Sequence, residues 1–285
     1  MYKRQLYTSS GFSGLGDQDI TASDSGSIAA STITTIATAN SSGTLNVSGA
    51  ATITGTAAEI IAAFADGTVT EASDVALTVN SGTATLTQAR SLDDLTTGVI
   101  TATIADTALS DLLDDSTPLL DANGNNAFTI TIGTADATVT AANLNDLNAL
   151  TTVNVNAANV DTISSSSLSD INTLYTAGGV SGLGDQDVTV SDSGSIAAGT
   201  LTTITAANGS GTLTASSAAT VTGTATEIVA ALSDSTITLA SNVALTVNSG
   251  TATLSQTRTL NSGTGGVVTA TIADTRVSDL LDLSL

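Results

Sequence analysis

Two distant stretches of this chain are near copies of each other. "SGLGDQD" surrounds both Leu15 and Leu183, so the copies stand 183 − 15 = 168 positions apart. The register then holds without a gap: "VALTVNSGTATL" begins at Val75 and again at Val243, and "TATIADT" at Thr101 and Thr269. Copies of this length restrict the fold to one whose parts stack in series. The first unit spans 6–173, and a second, truncated unit spans 174–285 and is continuous with it. Residues 1–5, "MYKRQ", have no counterpart and read as translated sequencing adapter; "LSL" at 283–285 reads as the same adapter reversed.

A shorter beat runs inside the long one. Apolar-x-apolar strands begin near Ile20, Leu45, Leu77, Ile100, Ile130 and Val153, and the next unit starts at Val188. Six steps within the long period average about 28 residues each. In "ATITGTAAEIIAAFADG", Thr56 and Glu59 stand at capping-box spacing, and Ile60, Ile61 and Phe64 give one apolar helical face. Thr224 and Glu227 repeat this, while "VTAANLNDLNAL" from Val139 and "SSSLSDINTL" from Ser165 follow the plan with a looser cap. Helices and strands this short are not stable alone. Stacking them predicts a β-rich repeat solenoid. Its form is a right-handed parallel β-solenoid with short helices between strands, six coils in the first unit and four in the second. At about 4.8 Å per coil, ten coils make a rod on the order of 50 Å long. The spacing from Leu150 suits a leucine-rich repeat in its apolar positions, but the Asn position of that family does not recur from coil to coil. The alternative fold is a string of tandem immunoglobulin-like β-sandwiches, which should carry more aromatics and lack a helix after each strand.

Composition agrees with a thin, repetitive interior. The 285 residues are 41% hydrophobic but only 2% aromatic, with no Trp, Cys or His. Regular β-branched residues argue against disorder. With 26 acidic against 5 basic side chains the net charge is −21, which excludes nucleic-acid binding and disfavours anionic membrane surfaces. No apolar run is long enough for membrane insertion as a helix. The absence of Cys suits a secreted protein.

"SGLGDQDVTVSDSGSIAAGTL", "TVTGTATEI" and "TATIADT" together resemble the Thr/Ala/Asp-rich repeats of giant surface or secreted proteins of bacteria, marine cyanobacteria above all, and related phage structural proteins. The likeness covers nearly the whole chain. It implies a non-enzymatic structural or adhesive segment of a very large extracellular repeat protein, a spacer or adhesin stalk at the cell surface. Its partners would be neighbouring repeats of the same chain, cell-surface polysaccharide or another surface protein. A tail-fibre or other virion component is the second reading, and a secreted carbohydrate-active solenoid enzyme the third.

The residues offer no resident cofactor beyond weak calcium binding. "GLGDQDI" at Gly14 and Gly182 imitates part of a calcium nonapeptide, making Asp17, Asp19, Asp185 and Asp187 candidate ligands; a capped glycine turn accounts for the same letters. "DANGNNAFTI" places Asp121, Asn123 and Asn125 at the first three positions of an EF-hand loop. Asn126 replaces the required Gly there, and Ile132 stands where the bidentate Glu belongs. For catalysis, His and Cys are absent, and Lys is absent after Gln5. Asp111, Asp114 and Asp115 of "SDLLDD" are close together but read as a solvated helix end. Arg90 and Arg258, one repeated pair, answer local acidic charge.

Overall fold

Alternation makes the strands. In Ile100–Thr103 the side chains of Ile100 and Ala102 are buried while Thr101 and Thr103 face out, the two-residue period of a pleated strand with one wet side. The structure, a computed structural model, describes residues 16–114, 124–273 and 276. It is mixed α/β with several parallel sheets. The chain packs as two compact units, residues 1–133 with 146–156 and residues 134–145 with 157–285.

In the first unit the order is β1 (Ile20–Thr21), β2 (Ser27–Ala29), α1 (Ala30–Asn40), β3 (Leu45–Asn46), β4 (Thr52–Gly55), α2 (Ala57–Phe64), β5 (Val69–Thr70) and β6 (Ala76–Val79). It continues with α3 (Leu86–Asp93), β7 (Ile100–Thr103), α4 (Leu109–Leu112) and β8 (Ala127–Thr129). Two sheets result, β1-β3-β5 and β2-β4-β6-β7-β8. The chain then forms β9 (Thr138–Val139), α5 (Ala141–Ala149) and β10 (Val155–Asn156). β9 belongs to the second unit and β10 to the first, where Asn156 bridges Thr131.

The second unit continues through β11 (Thr162–Ser166), α6 (Leu168–Thr176), β12 (Val180–Ser181), β13 (Asp187–Val190), β14 (Ser195–Ala197) and α7 (Ala198–Asn208). There follow β15 (Leu213–Ala215), β16 (Thr220–Thr224), α8 (Ala225–Ser233), β17 (Ile237–Leu239), β18 (Ala244–Ser249), α9 (Leu254–Ser262) and β19 (Val268–Thr269). Its main sheets are β17-β15-β13-β11-β9 and β14-β16-β18-β19. The registered strand pairs described in both units are parallel, which rules out the sandwich alternative there, since sandwiches are built from antiparallel strands.

Each ladder carries a row of aliphatics in register: Ile28, Ile53, Leu77 and Ile100 in one unit, Ile196, Val221, Leu245 and Val268 in the other. Ile53, Leu77, Ile100, Val221 and Leu245 are almost wholly buried. A buried side chain of this size contributes about 1.5–3 kcal/mol. Helices pack on helices alongside, α1 on α2 and α2 on α3, and in the second unit α6 on α7, α7 on α8 and α8 on α9.

The step is shorter than the sequence beat. Counted along the ladders it is 25 from Ile28 to Ile53, 24 from there to Leu77, 23 to Ile100, and 26 from Ala102 to Phe128. The second unit repeats 25, 24 and 23 from Ile196 to Val268. The first three helix starts are farther apart: Ala30, Ala57 and Leu86, or Ala198, Ala225 and Leu254, are spaced by 27 and then by 29, before α4 follows Leu86 by 23. The surplus accumulates between strand and helix. The distance along the chain is two from Ile28 to Ala30, four from Ile53 to Ala57, and nine from Leu77 to Leu86. The second unit gives the same two, four and nine. At nine there is room for another pairing, and a fresh bridge appears in each unit, Ala84 to Ile104 and Ala252 to Ile272.

Candidate functional site

The polar side chains that a site would need are mostly engaged between successive layers. Asn208 ends α7 and is fully buried; its Nδ2 donates to the Gln186 carbonyl at 2.7 Å and its Oδ1 accepts from the Gln186 N–H at 3.0 Å. The Tyr175 hydroxyl donates to the same Oδ1 at 2.9 Å. Gln186, 1% exposed, passes the connection on: its Nε2 donates to Val160 O at 3.0 Å, and its Oε1 accepts from Gly184 N at 2.6 Å. Burial, with Asp185 nearby, pushes the Tyr175 phenol up, so it stays a neutral donor. Gly211 is required because a Cβ there would overlap Gln186 O and Asn208 Nδ2. A buried amide satisfied on both ends in this way avoids a penalty of about 1–3 kcal/mol per orphaned group.

Thr takes the same role elsewhere. Thr96 Oγ1 donates to Val75 O at 2.6 Å while accepting from Gly98 N at 2.9 Å, and Thr264 does the same with Val243 and Gly266 at 2.5 and 2.9 Å. Thr151 donates to Phe128 O at 2.8 Å. Asn126 accepts from Ile100 N at 3.0 Å and donates to Asp93 at 2.8 Å. No single position carries an Asn ladder; Asn208, Asn126, Thr96, Thr151 and Thr264, at different distances from the strand that follows, each bind the layer before.

Helix starts are treated likewise. The expected capping boxes Thr56/Glu59 and Thr224/Glu227 form, and so do two that the sequence reading missed, Thr85/Gln88 and Thr253/Gln256, whose T-x-x-Q spacing was the available signal. Their threonine N–H and hydroxyl hold the Glu59 and Glu227 carboxyls below the ordinary carboxylate range. Other first-turn donors are met by side chains one layer on: Asp106 accepts from Leu86 N at 2.9 Å, Asp192 from Leu168 N at 2.7 Å, and Ser166 from Ala141 N at 2.8 Å.

The candidate calcium ligands are dispersed. Asp19 accepts from Thr44 Oγ1 at 2.7 Å and Asp187 from Thr212 Oγ1 at 2.6 Å, each a strand-to-strand contact; the first holds the Asp19 carboxyl below its usual range. Asp17 and Asp185 accept from their neighbouring glutamines at 2.7 and 3.0 Å. Asn125 donates to Thr97 O at 3.4 Å, and Ile132, at the place of the bidentate Glu, lies in the core. Asp121 and Asn123 lie outside the described residues, as does Asp115. Among the described residues no three acidic side chains gather as a metal-ion group. Arg90 lines a groove of about 250 Å³ with Asp106, Asp111 and Asp114, the acidic setting expected for it. Arg258 lines another, of about 460 Å³, with Thr257 and Asn261. No described helix is long and apolar enough to cross a membrane. Comparison with models of known families, with curated proteins and with solved structures returned no match to the chain.

Proposed function

We propose that the chain is a non-enzymatic length element, a β-solenoid spacer or adhesin stalk within a very large extracellular repeat protein. One observation carries the reading: Asn208, Gln186, Asn126, Thr96 and Thr264, the buried or half-buried polar side chains, spend their hydrogen bonds on the backbone one layer away. Side chains used this way hold layers together and leave little to grip a reacting molecule. The acidic surface keeps such an element soluble and self-repelling. Neighbouring repeats are then its first partners, and a target such as surface polysaccharide belongs to whatever the array presents.

The test is growth with copy number. Chains carrying one, two and three copies of the long repeat are measured by small-angle X-ray scattering. A spacer gives a maximum dimension that rises by the same increment with each copy and a cross-section that does not change. A radius of gyration that grows only as a compact globule's, about the 0.38 power of chain length, refutes it.

A further inference from the structure

The face of β17-β15-β13-β11-β9 points to a second activity, beyond the spacer role. Each strand turns an aliphatic of one register row inward: Val139, Ile163, Val188, Leu213 and Ile237. The residues on either side face out, and they are almost all threonine. One rank reads Thr138, Thr162, Asp187, Thr212, Thr236, and the second contains Thr189, Thr214 and Thr238. Parallel pairing puts Thr138 beside Thr162 and Thr162 beside Asp187; in the second rank Thr189 lies beside Thr214 and Thr214 beside Thr238.

Parallel strands fix both intervals of this array. Neighbours along a rank are about 4.8 Å apart, and residues two apart on a strand, one from each rank, are about 7 Å apart. These are close to the two cell edges of hexagonal ice. Each threonine adds a methyl group and a hydroxyl that both donates and accepts, so the face can cage water and bond to it at lattice intervals. The hydroxyls of Thr138, Thr162, Thr189, Thr214 and Thr238 make no hydrogen bond to the protein among the described residues. Thr138, Thr189 and Thr238 are exposed, and Thr162 and Thr214 half-buried between their neighbours. Neither rank carries a Lys, Arg or Glu, whose hydration would compete. Asp187 interrupts the first rank and is engaged by the Thr212 hydroxyl; the second is continuous across β13, β15 and β17, while on β11 the register shifts and Ser164 donates its hydroxyl to Val139 O at 3.1 Å. In the first unit the matching rank is Thr21, Asn46 and Thr70 on three strands, broken by an amide whose Oδ1 accepts from Ser48 N at 2.9 Å.

We propose that this five-stranded face binds crystalline water, so that the chain adheres to ice. The test is ice-affinity partition of the fluorescently labelled full chain, with an inert protein of similar charge as baseline, followed by microscopy of a single ice crystal. The expected result is enrichment in the ice fraction at least severalfold over the baseline, and a crystal that grows facets. Thr214→Lys with Thr238→Lys should return partition to the baseline at an unchanged melting temperature, while Thr203→Lys, on exposed helix surface, should keep it. If the lysine pair unfolds the chain, Thr189→Val with Thr238→Val, which keeps the methyl groups, is read instead, and a clear loss is expected. Exclusion of the unaltered chain from ice, full binding by the folded lysine or valine pair, or retention on crystalline cellulose or chitin without retention on ice would each overturn the proposal.

Discussion

Gln18 and Gln186 sit in the same seven-letter stretch, yet one is exposed and the other is 1% exposed. Both are clamped on their downstream side: Asn40 donates to Gln18 O at 2.6 Å as Asn208 does to Gln186 O at 2.7 Å. The difference lies on the upstream side. Gln186 reaches Val160 one layer before it, while Gln18 Nε2 turns to its neighbour Asp17 at 2.7 Å. Among the described residues no layer precedes Gln18. In this fold the burial of a side chain is decided a layer away, by residues that local sequence does not contain.

The copies can be set against each other by mutation. Leu45→Ala and Leu213→Ala, at equally buried inward positions, should each cost about 2–5 kcal/mol in urea unfolding. A clear inequality would mean that the two ladders are not equivalent. Asn208→Ala should cost about 2–3 kcal/mol, because it strips partners from the Gln186 N–H and carbonyl and from the Tyr175 hydroxyl together. Gln186→Ala should cost about 1–2 kcal/mol and Gln18→Ala close to nothing; equal costs would remove the layer argument.

Acid provides a further contrast. Glu59, Glu227, Asp19 and Asp234 have carboxyls held below their ordinary values by hydrogen bonds from Thr56, Thr224, Thr44 and Thr236. Their stabilisation is complete above the ordinary values of 4.5 and 3.8 and is lost as pH falls through the lowered ones. Glu71, where the second copy has Leu239, has the opposite sign: burial raises its carboxyl, so its charge opposes folding at neutral pH and that opposition fades on acidification. Melting temperature should therefore fall between pH 5 and pH 3, and Glu71→Leu should raise it at pH 7 but not at pH 3. A gain at both pH values would assign the effect to packing alone.

Much of the fold was legible. Capping residues three apart, small apolar faces and the long copied unit give the helices and their order, because those signals are local or exact. The ladder step was hidden. Inward Ile28, Ile53 and Leu77 are separated by a count that only hydrogen bonds reveal, and threonine occupies both faces of the strands, blurring the alternation. Of the candidate ligands, Asp19 and Asp187 carried a readable polar signal with a different use: the same carboxylate that suits calcium also suits a threonine on the next strand. The burial of Gln186 and its reach to Val160 had no local signal, since Gln18 sits in the same seven letters and makes neither.

The offset of two, four and nine between strand and helix means that helices slide along the ladder over three layers, and the slide then stops, since Ile100 to Leu109 is nine again. The second copy repeats the two, four and nine at the spacing between Leu15 and Leu183. A gene built on this plan can lengthen or shorten by whole multiples of that spacing and keep each helix at its own offset from its strand.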